Sequence, residues 1–366
     1  MSTKDNLKIL LNQLSQVHGG SGQEQAVMRE VISLIEPYAD ELSVDPKGNI
    51  IAVKKGHKEG PSLMLAAHTD EIGLVVKNIL PNGFILFEKI GGVPDNLLPG
   101  RKVVIGKNKI PGVIGNKPGH LQSPEEAKTV KSASQCYVDV AMFSREEVEA
   151  AGIRIGDQII WTSEFTVMNN PDFIATKAVD DRICCSIIIE LFRNLKKEDF
   201  AGTLYGVFTI QEEVGLYGAE TAAYRVPADY ALALDTIPCG DTPDVNTDVE
   251  LPIRLDNGPG LSIADGVGIR FFSFIHPAVR KLIETQAKKL DINLQEVAIV
   301  SGGYTTDGAA LTRANGGVPC ATLAVPRRYS HSPVELFSLN DAKSVYDIVK
   351  EIVKMNEMVD LSFLND

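Results

Sequence analysis

Cysteine is scarce in this sequence and follows no pairing pattern. The five cysteines (Cys136, Cys184, Cys185, Cys239, Cys320) show no CxxC spacing in 366 residues, which argues against both a disulfide framework and a thiolate zinc knot. They suit a reducing compartment, so a cytoplasmic protein is expected. Basic runs are also missing. Lys and Arg number 36 against 48 Asp and Glu, a formal net charge of −12, so neither nucleic acid nor an anionic membrane surface is an expected partner. No stretch approaches the roughly 18 apolar residues of a membrane span. The opening "MSTKDNLKILLNQLSQVHGG" carries charge inside its apolar pattern and lacks the features of a secretory signal. Internal repeats and low-complexity tracts are absent. The remaining composition, 44% hydrophobic and 23% charged, is that of a globular protein, and the length implies two domains or one with a large insertion.

Periodicity places an amphipathic helix near 4–17 and a second near 22–37, the latter with capping-box spacing from Ser21 to Glu24. Strands follow at "NIIAVKK" and at "SLMLAAH", which ends on His68. From about 72 to 166 the character changes to Gly- and Pro-rich sequence with short β-like runs such as "GFILFEKI", "KVVIG", "CYVDVAMF" and "DQIIWTSEF". One helix, "SREEVEAAG", interrupts them, with a capping box from Ser144 to Glu147. After it helices and strands alternate again, through "DDRICCSIIIELFRNLKK", "GTLYGVFTI", "ADYALAL", "FIHPAVRKLIETQAKKLD", "VPCATLAV" and a closing amphipathic helix. The expected fold class is α/β, a mostly parallel sheet covered by helices. Residues 1–71 and 167–366 would form that domain, and 72–166 a small β-rich domain inserted into it.

Polar residues with chemistry to offer share one address. His68 follows "SLMLAA", Glu212 and Glu213 follow "LYGVFTI", Asp235 follows "YALAL", and His331 lies just past "ATLAVP". All stand at or beyond the carboxyl ends of apolar strands, where open α/β sheets place their ligands. Asp180 and Asp181 open the helix after the inserted segment. Each has an ordinary explanation alone: Asp235 as a turn cap, a strand-end histidine as a surface residue, paired aspartates as a helix N-terminus. Coincidence at all of these positions is harder to sustain. In "HTDEIG", residues two apart on an extended segment face the same side, so Asp70 can reach the ring of His68 and fix its tautomer. Two histidines with three or four carboxylates and no thiolate suit a pair of divalent ions such as Zn²⁺, Co²⁺ or Mn²⁺. One of two adjacent glutamates can hold metal while the other handles a water proton.

The motifs "HTDEIG", "KAVDDR", "QEEVGLYGA", "LALDT" and "RRYSHSPVE", in this order around an inserted β domain, closely resemble the tetrahedral, TET-type cytosolic aminopeptidases, among them glutamyl and deblocking enzymes. The resemblance runs nearly the full chain. It implies a zinc-peptidase α/β domain carrying a small β-barrel or PDZ-like domain, and a homododecamer with its sites facing an internal chamber. It also implies two divalent metal ions per subunit, Zn²⁺ first, with Co²⁺ or Mn²⁺ as alternatives. His68 and Asp235 would bind one, Glu213 and His331 the other, with Asp180 bridging. Glu212 would be the general base, Asp70 the partner of His68, and the peptide bond from Asp180 to Asp181 would be cis. Short peptides would be the substrates, trimmed from the amino end. "TIPCGDTPD" and "SGGYTTDGAAL" depart from the family's pattern, the second with an extra Tyr-Thr before Thr306 and Asp307, which are expected as supporting residues. Alternatives are an aminoacylase or carboxypeptidase with the same two-ion logic, a glycosidase, or an inactive binding protein. A glycosidase needs two carboxyls and leaves the paired histidines without a role.

Overall fold

Apolar runs in the sequence dictate a sheet with two buried faces. The computed structural model describes residues 1–268, 271–300 and 303–364. Helices α1 (Thr3–Ser15) and α2 (Gln25–Ile35) lead into β1 (Glu41–Val44), β2 (Ile50–Lys55) and β3 (Ser62–His68). Next come β4 (Gly73–Ile79), β5 (Ile85–Ile90), β6 (Lys102–Ile105), β7 (Ile110–Gly115), β8 (Tyr137–Asp139), the short helix α3 (Arg145–Ala150) and β9 (Gln158–Trp161). The chain then returns through β10 (Thr166–Val167), β11 (Phe173–Thr176), α4 (Val179–Asn194), β12 (Thr203–Thr209), α5 (Tyr217–Arg225) and β13 (Tyr230–Pro238). It closes with β14 (Gly260–Val267), β15 (Phe271–Phe274), α6 (Pro277–Lys289), β16 (Gln295–Ile299), α7 (Gly308–Leu311), β17 (Cys320–Arg328), β18 (Glu335–Ser338) and α8 (Leu339–Lys354).

The main sheet runs β1-β2-β12-β3-β13-β17-β18-β11-β10, with β14 to β16 joined at β17. Its centre, β12, β3, β13 and β17, is parallel, so four carboxyl ends gather on one edge. Strand alternation sends Leu63, Leu65 and Ala67 of β3 to one face, with α1, α2, α4, α6 and α8. Met64 and Ala66 face the other way, against alanines of α5 and α7.

Strands β4, β5, β8, β7, β6 and β9 close into a barrel with its own core, including Val76, Phe87, Ile114 and Trp161. The barrel starts five residues after His68, so its first connection leaves from the edge where the strand ends gather.

Three details differ from the sequence expectations. Ser21 is no helix cap: Glu24 is the N-cap residue of α2, and the Ser21 hydroxyl donates to Asp70 Oδ2 at 2.6 Å instead. Ser144 does cap α3, but the return bond from Glu147 goes to the amide of Phe143. Strands β14 to β16 add to the expected set; in β14, Gly, Pro and Asp break the apolar alternation of "GPGLSIADGV", and β15 and β16 are only four and five residues long. The Asp180–Asp181 peptide bond is cis, and both residues have non-helical dihedrals ahead of the regular turns of α4.

Candidate metal centre

Two ligand-bearing strands stop at the gathered edge, and a third overshoots it. β3 ends on His68, and β12 stops at Thr209, three residues before Glu212. β13 continues three residues past Asp235, which therefore sits within the strand. Gln211 turns with φ +54, releasing Glu212 and Glu213 from strand alternation. Ala178 ahead of Asp180, Tyr329, and His331 itself also hold left-handed φ values, 52, 61 and 55. Non-glycine residues in that region cluster where the surroundings enforce a functional geometry.

Donor atoms of His68, Asp180 and Asp235 all lie within 4.8 Å of one another, as do those of Asp180, Glu213 and His331. Asp180 belongs to both groups. Its Oδ1 is 3.1 Å from His68 Nε2, and its Oδ2 is 3.5 Å from His331 Nε2. His331 Nε2 is also 3.5 Å from Glu213 Oε2. The opposite ring nitrogens are held by carbonyl oxygens: His68 Nδ1 by Asp70 at 3.1 Å, and His331 Nδ1 by Gly92 of the barrel's β5–β6 connection at 3.3 Å. Protons on both Nδ1 atoms leave both Nε2 atoms facing Asp180.

Asp70 does more than face the ring. Its carboxylate is 3.4 Å from His68 Nδ1, but it also accepts the amides of Glu212 at 3.0 Å and Glu213 at 3.2 Å. One buried aspartate thus orients the histidine and fixes the turn bearing both glutamates.

The carboxylates crowd a mostly buried space. Burial, then the neighbouring Asp180, pushes Asp235 well above the usual carboxylate range; burial does the same to Glu212 and lifts Glu213 to about 7. Asp180 goes the other way: against its burial, the Arg327 guanidinium and the two histidines hold it well below that range. Such crowding calls for cations, and a sulfur-free set of imidazole nitrogens and carboxylate oxygens fits a pair of hard or borderline divalent ions.

Several contributors escaped the sequence reading. Buried Arg327 pairs with Asp180, and Glu335 accepts the amides of Asp180 and His331, both at 3.1 Å. Cys184 and Cys185 of α4 donate their thiols to the carbonyls of Asp235 at 3.2 Å and His68 at 3.1 Å. Their buried position on α4 was legible, their targets not. Asp307 accepts the Thr209 hydroxyl at 2.6 Å, and Thr306 bonds Thr322 at 2.8 Å. Ser301 and Gly302 of the departing "SGGYTTDGAAL" lie outside the described residues.

Beside the two donor groups opens a cavity of about 470 Å³, whose walls include Leu216, Pro238, Val267, Phe271 and Tyr304. It can seat one side chain while the atom next to it meets the donors.

The model of the M42 glutamyl aminopeptidase family matches residues 48–348. A relative from Acetivibrio thermocellus is 35% identical over 344 residues, 94% of this chain and 97% of its own. Among solved structures, an aminopeptidase from the archaeon Desulfurococcus kamchatkensis superposes with a TM-score of 0.90 at 32% identity, covering 100% of both chains. The TET1 peptidase of Pyrococcus horikoshii, which can assemble into a tetrahedron or a large octahedral shell, superposes at 0.81 with 30% identity, over 96% of this chain and 99% of its own.

Proposed function

Because this chain belongs to the M42 glutamyl aminopeptidase family, and is thus a hydrolase acting at the amino end of peptides, we propose that its catalytic centre is the pair of donor groups joined at Asp180. His68 and Asp235 hold one divalent ion, Glu213 and His331 the other, and Asp180 bridges them. Zn²⁺ is the first choice, with Co²⁺ and Mn²⁺ as alternatives. When bound, such ions supply Lewis-acid polarisation of the scissile carbonyl and an acidified water. Glu212, beside a ligand but outside both groups, accepts the proton of the attacking water and returns it to the leaving nitrogen. Asp70 positions His68 and the Glu212–Glu213 turn. The cavity takes the side chain of the substrate's first residue.

Residues 72–166 act as an inserted domain standing at the cleft mouth, where Gly92 already reaches His331. In this reading the substrates are short unfolded peptides, and the enzyme is a homo-oligomer, a dodecamer by analogy with the TET type. The observation that carries the assignment is the sharing of Asp180 between two donor groups at the carboxyl edge of parallel strands.

The test is chelation to zero metal content, then reloading with each ion and assay on free and N-acetylated peptides. Activity should vanish, return on reloading, and be confined to free amino ends. Full activity in protein shown by elemental analysis to be metal-free would overturn the reading.

A further inference from the structure

Arg327 is the one cationic side chain, among the described residues, that is both buried and in contact with the shared carboxylate. Its guanidinium has three anchors. Nε donates to Thr236 Oγ1 at 2.6 Å, Nη2 donates to Asp180 Oδ2, and Nη1 lies 3.0 Å from Glu335 Oε1 as an ion pair without a hydrogen bond. Glu335 in turn accepts the backbone amides of Asp180 and His331. One Arg–Glu pair therefore touches the segments that carry Asp180, Asp235 and His331.

We propose that Arg327, paired with Glu335, is a positioning residue that presets the shared Asp180 carboxylate and the His331 loop to receive the second ion. The inference rests on the two-ion reading above. Its physical basis is an asymmetry between the two donor groups. The side chains of the His68–Asp180–Asp235 group are buried throughout, and Glu213's is too, whereas that of His331 is 32% exposed. His331 also stands on a loop with two left-handed residues and needs a hold from outside its own strand. Glu335 holds the backbone of that loop, and Arg327 turns Asp180 Oδ2 toward it. A planar five-donor fork can serve three anchors at once, which a lysine ammonium on its flexible stem cannot.

The test is a Co²⁺ titration of metal-free protein, followed by calorimetry and by the visible absorption of the bound ion, on the native enzyme and on Arg327→Met, Arg327→Lys and Glu335→Gln. Thermal melts of the metal-free proteins show which variants fold. Native enzyme should take up two equivalents. Arg327→Met should keep the first with unchanged affinity and absorption and bind the second at least tenfold more weakly, with Arg327→Lys and Glu335→Gln between. The kcat of these variants should fall with little change in KM and recover in excess Co²⁺, which a merely structural defect would not allow. Unchanged binding of the second equivalent in a folded variant overturns the inference. So does tighter binding, which would mean that the guanidinium competes with the ion. Fewer than two equivalents in native enzyme would sink the two-ion reading itself and take this inference with it.

Discussion

The different tasks proposed for the neighbours Glu212 and Glu213 are compatible with the chain's turn at Gln211 and with the grip of Asp70 on both amides. Glu212→Gln keeps the size and the turn but removes the proton acceptor. The variant should retain its full metal content while kcat falls about 10²–10⁴-fold, the usual worth of a general base. Near-normal kcat in a fully metallated variant would end the assignment. A second residue-scale expectation concerns His18, half-buried between α1 and the start of the barrel connection. Burial, with the Lys177 ammonium next and against the attraction of Glu71, pushes its imidazole down to about 4; Lys109 and Arg182 act in the same direction as Lys177. The unfolded chain protonates near 6.5, so its contribution to stability is complete above that pH and is lost as pH falls toward 4. Screening at this partly open position leaves about 1–2 kcal/mol of pH-dependent stability. The measurement is the urea stability of native protein minus that of His18→Gln, at pH 7.5 and 5, so that groups common to both cancel. A difference that does not shrink at the lower pH would contradict the lowered pKa of His18.

Elements explain which parts of the site could be read in advance. Strands β3 and β12 are apolar runs followed by polar residues, and β13 breaks its apolar run at Asp235, so His68, Glu212, Glu213 and Asp235 stand out as polar groups after apolar runs. Periodicity alone reaches no further. Asp180 looks like any acidic helix start, and only the resemblance gives it a bridging role. Arg327 follows an apolar strand and a proline, a context that reads as solvated, yet β17 continues through Arg328 and buries it. The signal that could have exposed it is electrostatic: so many carboxylates at one edge need a buried cation. A Cβ on Gly92, in the β5–β6 connection, would stand 2.7 Å from His331 Nδ1. Gly92→Ala should therefore displace the imidazole, lowering kcat/KM at least tenfold and weakening the second ion while the melting temperature moves little. Wild-type kinetics would mean that the ring is not seated against the barrel. At the end of β14, Val267 lines an apolar stretch of the cavity with Leu216, Pro238 and Phe271. Peptides beginning with aliphatic residues should be cut faster than those beginning with Glu or Lys, and Val267→Asp should shift the kcat/KM ratio toward Lys by about tenfold or more. A panel of aminoacyl substrates decides it, and an unchanged ratio would place the first residue elsewhere.

At the scale of the whole molecule, the barrel weakens one reason for self-association and leaves another. A small open β domain would present strand edges in need of cover. The six strands instead close on themselves, which weakens that reason, although β5 meets β8 only at the pair Ile85–Val138. Its surface is a different matter. Phe143 and Ile155, on either side of α3, are 83% and 66% exposed. Burying such groups against a second copy gains about 25 cal/mol for each Å² removed from water, so a few per subunit can decide assembly. The protein should therefore scatter light as a large homo-oligomer, and Phe143→Ser with Ile155→Ser should give smaller species. Each subunit carries a whole set of donors, so those species should still bind two ions and cleave tripeptides. Where the assembly limits access to its sites, as proposed for the cleft mouth, longer unfolded peptides should be trimmed faster, relative to tripeptides, by those species than by the native assembly. A native enzyme that is monomeric would overturn the assembly, and a double variant of unchanged mass would show that these two side chains do not hold it together.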